Sequence, residues 1–96
     1  MRLIIASTTV FRKTADARYR NVSGEGIVVR QAAGEVLVLS EVGARVLDLI
    51  QSGAPVGRLF TELAAEYDIE RAILERDVMD YLQELLEAGI IESAAS

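Results

Sequence analysis

The chain has 96 residues, 51% of them apolar and 26% charged, with a formal net charge of −5 and neither cysteine nor histidine. That length supports one domain with a modest core and excludes two independent ones, and the balance of apolar to charged residues is that of a globular protein rather than a disordered or bilayer-spanning one. Without Cys and His there is no disulfide, no thiolate or imidazole metal ligand, no near-neutral general base and no Ser/His or Cys/His nucleophile, which leaves carboxylates, hydroxyls, Lys13 and the arginines to carry any chemistry.

Residues 1–16 show no clear period and end in Arg12-Lys13-Thr14-Ala15-Asp16, so they read as an extended lead-in segment. Its apolar run, Leu3-Ile4-Ile5-Ala6, is too short for a signal-peptide core or a membrane helix, and the cytoplasm is the expected location. From Ala17 the text becomes strand-like: Arg18–Val22, Gly26–Arg30 and Glu35–Leu39, bounded by Ser23-Gly24-Glu25-Gly26 and by Gln31-Ala32-Ala33-Gly34. Loops this short make the three strands an antiparallel meander, with Gly34 suited to a positive φ.

At Ser40 the period changes from two to about 3.6. Ser40 is positioned as an N-cap for a helix over 41–51 whose stripe is Val42, Val46, Leu47, Leu49 and Ile50. Pro55 favours the first turn of a second helix over 56–66, carrying Leu59, Phe60, Leu63, Ala64 and Tyr67. Asp68 is placed to cap a third and longest helix, with Ile73, Leu74, Val78, Tyr81, Leu82, Leu85 and Leu86, that closes at Gly89. Ile90-Ile91 are expected to dock on the core and residues 93–96 to fray. Three strands followed by three helices define an α+β class with the helices on one side of a small antiparallel sheet.

The run Gly34-Glu35-Val36-Leu37-Val38-Leu39-Ser40-Glu41-Val42-Gly43-Ala44-Arg45-Val46-Leu47-Asp48-Leu49-Ile50 resembles the signature of the PqqD-like family, a strand entering a "Leu-Asn-x-x-Gly/Ala" helix start; Ser40 stands where the family usually has Asn. Val56 through Ile69 is similar to its second helix and acidic-aromatic turn, and Asp77-Val78, Tyr81-Leu82, Leu85 and Gly89-Ile90-Ile91 to its closing pattern. The resemblance covers about residues 17–92, the expected recognition domain. It implies a winged helix-turn-helix-like fold and a peptide chaperone for ribosomally made precursors. In that family the leader of a precursor peptide binds as an added strand beside the third strand and third helix, and is presented to a modifying enzyme, often a radical S-adenosylmethionine enzyme. No cofactor is implied for the chain itself.

The residues are compatible with that role. An edge strand leaves alternate N–H and C=O groups for an incoming peptide, and Val36, Leu37, Val38 and Leu39 put apolar side chains on both faces of the third strand, so something covers the second face. Residues Leu3-Ile4-Ile5, a second copy of the chain or a guest peptide would each do so. On the third helix Arg76, Asp77, Asp80 and Tyr81 flank the apolar stripe as candidate peptide contacts, although a solvated helix face and core filling account for the same residues. Six acids against two arginines on that helix, Glu70, Glu75, Asp77, Asp80, Glu84 and Glu87 against Arg71 and Arg76, would repel a DNA duplex. Residues 1–45 carry seven basic and four acidic side chains and residues 46–96 three and eleven; Arg12, Lys13, Arg18, Arg20 and Arg30 form a loose basic set on the front half, read either as a scattered solvated surface or as a site for an acidic leader or partner. The expected partners are a leader peptide and a modifying enzyme, with the chain a monomer or weak homodimer. A winged-helix DNA-binding regulator and a homodimerising adaptor are the alternatives.

Overall fold

The computed structural model describes residues 5–94. Its elements are β1 (Phe11–Lys13), β2 (Ala17–Val22), β3 (Glu25–Arg30), β4 (Glu35–Leu39), α1 (Glu41–Gln51), α2 (Val56–Glu66), α3 (Arg71–Glu87) and β5 (Ile91–Ser93). The expected α+β class holds: an antiparallel sheet of order β2-β3-β4, followed by three helices.

The first turn is tighter than the expected four residues, because Ser23 (φ 54°) and Gly24 (φ 86°) alone connect β2 to β3. Positive φ at both central positions is the type I′ geometry whose twist matches a hairpin, and Asn21 Oδ1 secures it by accepting from the Gly24 N–H at 2.9 Å. Gly34 takes the positive φ (62°) expected in the second turn. Ala17, Gly26, Val28 and Leu39 form the buried face of the sheet. Gly26 is there for closeness: a Cβ would lie 2.9 Å from Ala44 Cβ and 3.2 Å from Leu39 Cβ, so any side chain would lift α1 off the sheet.

Ser40 caps α1 as its sequence predicts, its Oγ accepting from the Gly43 N–H at 3.1 Å. Pro55 is the cap residue of α2. The start of α3 differs from expectation. Asp68 does not cap it; Tyr67 is extended (φ −123°, ψ 139°), the Ile69 N–H returns to the Tyr67 carbonyl at 3.0 Å, and the helix begins at Arg71 behind Glu70. Leu47, Leu63 and Leu82, one from each helix, are fully buried and each contributes about 1.5–3 kcal/mol of apolar transfer free energy.

The lead-in contains an element that its text does not announce. Phe11–Lys13 pairs antiparallel with Ile91–Ser93, Phe11 is buried at 1% exposure, and the Ala94 N–H donates to the Val10 carbonyl at 2.9 Å. The pairing joins residues on both sides of 17–92, and Ser93 lies in β5. Of Leu3-Ile4-Ile5, one of the alternative covers for the third strand, Leu3 and Ile4 lie outside the described residues and Ile5 packs against the hydrophobic core. Six of the described arginines have a carboxylate within 4 Å: Arg12–Glu92, Arg30–Glu35, Arg45–Glu66, Arg58–Glu62, Arg71–Glu75 and Arg76–Asp77.

Candidate functional site

The tight turn determines which backbone groups of the sheet are unspent. A two-residue loop makes its flanking residues, Val22 and Glu25, a hydrogen-bonded pair. The register Arg20↔Ile27 and Arg18↔Val29 then places the other bonded pairs of β2 and β3, and the 3.3 Å bond from Gln31 N–H to the Asp16 carbonyl continues the series. Gly26, Val28 and Arg30 consequently direct their N–H and C=O groups toward β4, where the register pairs them with Leu39, Leu37 and Glu35. Val36 and Val38 are left with their N–H and C=O groups pointing away from the sheet. No strand among the described residues pairs with that edge.

The other edge of the sheet is closed in part. The outward groups of β2 are those of Ala17, Tyr19 and Asn21, and Lys13 Nζ donates to the Ala17 carbonyl at 2.6 Å and to that of Thr14 at 3.2 Å. An ammonium on an edge carbonyl occupies a position that an added strand would need. The Tyr19 hydroxyl, 2.8 Å from the Ala44 carbonyl and 2.9 Å from Asp48 Oδ1, fastens β2 to α1. Burial first, then the hydrogen bond to Asp48 and its charge, push this phenol up to about 12.

The side chains of β4 divide by face. Val36 and Val38 are 62% and 66% exposed on the outer face, whereas Leu37 is half-buried and Leu39 buried on the helix side. Beyond Leu39 a cleft of about 260 Å³ opens between α1 and α3, lined by Val42, Gly43, Ile69, Asp77, Val78 and Tyr81 among others. Tyr81 is packed against the first turn of α1: a Cβ on Gly43 would sit 2.5 Å from its hydroxyl oxygen and 3.4 Å from Leu39 Cβ. The Tyr81 hydroxyl is buried and has no hydrogen-bond partner among the described residues. Burial, then the nearby Glu84 carboxylate, raise its pKa, so it is a neutral phenol with an unused donor and acceptor.

Of the sequence-predicted residues, Asp77 and Tyr81 line the cleft, Leu39 adjoins it across Gly43 and Leu37 faces the helices, while Val36 and Val38 turn their side chains to the outer face. Arg76, five residues before Tyr81, lies about 140° around the helix from it, and Asp80 about 100°. Arg76 is 70% exposed beside Asp77 at 3.7 Å. Neither Arg76 nor Asp80 lines the cleft. Val42, Gly43 and Ile69 line it as well; Gly43 is the glycine of the Leu-Asn-x-x-Gly/Ala helix start, and glycine within a helical run costs about 1 kcal/mol relative to alanine and marks a close approach.

An open sheet edge beside an apolar cleft is a geometry at which an extended peptide can add as a strand. The model of the family described as coenzyme PQQ synthesis protein D (PqqD) matches residues 25–91, 67 of the 96, and the chain belongs to that family. Among solved structures, "TbiB1 in Complex with the TbiA(beta) Leader Peptide" is 24% identical with a TM-score of 0.81, covering 88% of this chain and 99% of that one. "Lasso peptide synthetase B1 complexed with the leader peptide" is 22% identical with a TM-score of 0.78, covering 85% and 96%. No curated protein matches the sequence.

Proposed function

We propose that this chain binds the leader region of a ribosomally made precursor peptide by adding it as a strand to β4, and presents it to a separate modifying enzyme, a radical S-adenosylmethionine enzyme being the class that the family resemblance implies. The observation that carries the reading is the open edge at Val36 and Val38, beside a cleft bounded by Tyr81. The two residues offer two N–H donors and two C=O acceptors, enough to hold an extended segment in register. Guest side chains opposite Val36 and Val38 would lie on the outer face. Those opposite Leu37 and Leu39 would enter between β4 and α3, where apolar residues are favoured. The two similar structures named above hold leader peptides, which supports the same assignment here.

Catalysis belongs to the partner in this reading, and the chain works as a monomer or weak homodimer in the cytoplasm; no described helix is long and apolar enough to cross a membrane. The DNA-binding alternative is disfavoured by α3 itself. Arg71 is 2.7 Å from Glu75 and over the Phe60 ring at 5.9 Å, and Arg76 is 3.7 Å from Asp77, so each has a carboxylate beside it that would repel phosphate. Titration of a labelled leader peptide from an adjacent open reading frame should move the amide signals of Val36, Val38 and the Tyr81 region of α3. Saturating peptide with no shift at β4 would refute the assignment.

A further inference from the structure

We infer that the outer face of the sheet, opposite the helices, is a docking surface for a folded protein whose contact patch is apolar with an acidic rim, and that in the cell this partner is the modifying enzyme. The inference rests on the peptide-presenting role proposed above but concerns a different surface. On that face the register aligns Arg20, Ile27 and Val38 in one row and Arg18, Val29 and Val36 in the next. Val36 and Val38 are the most exposed large apolar side chains among the described residues, and Ile27 and Val29 beside them are only half-buried. These four form a continuous apolar plate that nothing in the described chain covers. Isolated exposed valines are ordinary, but a contiguous plate signals a contact surface.

Charge identifies the partner. Every other described arginine has its own carboxylate, whereas Arg18 and Arg20 have none, and both are exposed at the border of the plate. Beside them a concavity of about 550 Å³, lined by Lys13, Arg18, Arg20, Ile27 and Val29 among others, is wide enough for an acidic element of a partner. In a chain of net charge −5 two unspent guanidiniums on one face give orientation to an acidic surface and raise its association rate. A guest strand on β4 would lengthen each row of the same plate by one residue, so the loaded protein presents a larger surface than the empty one.

The test is Arg18→Glu/Arg20→Glu, with Arg18→Gln/Arg20→Gln as a milder second variant, each checked for native circular dichroism. Leader affinity and affinity for the modifying enzyme encoded with the precursor are measured separately, by peptide titration and by surface plasmon resonance of the peptide-loaded protein. Leader affinity should stay within about twofold, while enzyme binding weakens roughly tenfold or more through a slower, less salt-sensitive association. Unchanged enzyme binding in both variants overturns the inference and leaves the peptide-binding assignment standing; loss of leader binding by the native protein removes the assignment itself. Concentration-dependent dimers abolished by Arg18→Glu/Arg20→Glu would make a second copy the occupant, and duplex DNA binding abolished by it would make the occupant nucleic acid; either overturns the proposal.

Discussion

Proline at position 38 separates the two edges of β4 in a single substitution. The Val38 N–H points away from β3, so Val38→Pro removes a donor that the folded monomer does not use. Proline's fixed φ is steeper than an antiparallel strand prefers, which sets the expected loss of folding stability at about 1 kcal/mol or less. At Leu37, whose N–H belongs to the β3–β4 ladder, the same replacement should cost about 3 kcal/mol. For a guest strand the consequence is reversed. One of its hydrogen bonds is lost, and its partner carbonyl is left facing a proline ring, together about 1–3 kcal/mol, or roughly 5- to 150-fold in Kd. Isothermal calorimetry of leader binding, with urea denaturation of each variant, measures both quantities. A Val38→Pro protein that is folded and binds the leader with native affinity would show that the guest does not pair with this edge.

Three further experiments probe the surrounding structure. Gly43→Ala should drive the Tyr81 ring into the cleft, weakening leader binding several-fold while helix propensity gains up to about 1 kcal/mol; Tyr81 ring resonances that do not move, with unaltered binding, would contradict this. Tyr19→Phe should cost about 1–2 kcal/mol. Because the folded phenol titrates near 12 rather than at its ordinary 10.0, the stability it confers is complete below pH 10 and declines as pH rises toward 12, so denaturation midpoints of the native protein should fall across that window more than those of the variant. A double-mutant cycle on Arg45 and Glu66, which are both about one-third exposed, should give a coupling of about 0.3–1 kcal/mol. The hydrogen bond from Arg45, more than its charge, holds the Glu66 carboxyl below its ordinary 4.5, so the coupling is present above that value and should vanish as pH falls through the lower folded one.

Elements whose signals are local were legible in the sequence. The bounds of α1 and α2 follow from a capping serine, a proline and one apolar stripe each, and β4 ends where the helical period begins at Ser40. The β1–β5 pairing was not legible, because three-residue strands carry no period and their partners stand 80 residues apart, as Arg12 and Glu92 do. Asp68 was misread as a cap because residue type signals capping only where the backbone turns, and the turn here falls two residues later. In the candidate site, the four β4 residues could be named from their unbroken apolar run. Which of their backbone groups face outward required the length of the turn at Ser23-Gly24, and the mutual fit of Gly43 and Tyr81 required tertiary structure.

The Lys13 ammonium that sits on the Ala17 carbonyl has an effect on how copies of the chain behave in a crowded solution. A small sheet free to pair on both sides is a repeating unit: the open side of one copy would meet the opposite side of the next, without limit, and the product would be a fibre. With that side closed in part by a lysine, stacking of β2 against β4 of a neighbour loses a carbonyl it would need. A protein can then keep the remaining side receptive to short extended peptides and still stay dispersed.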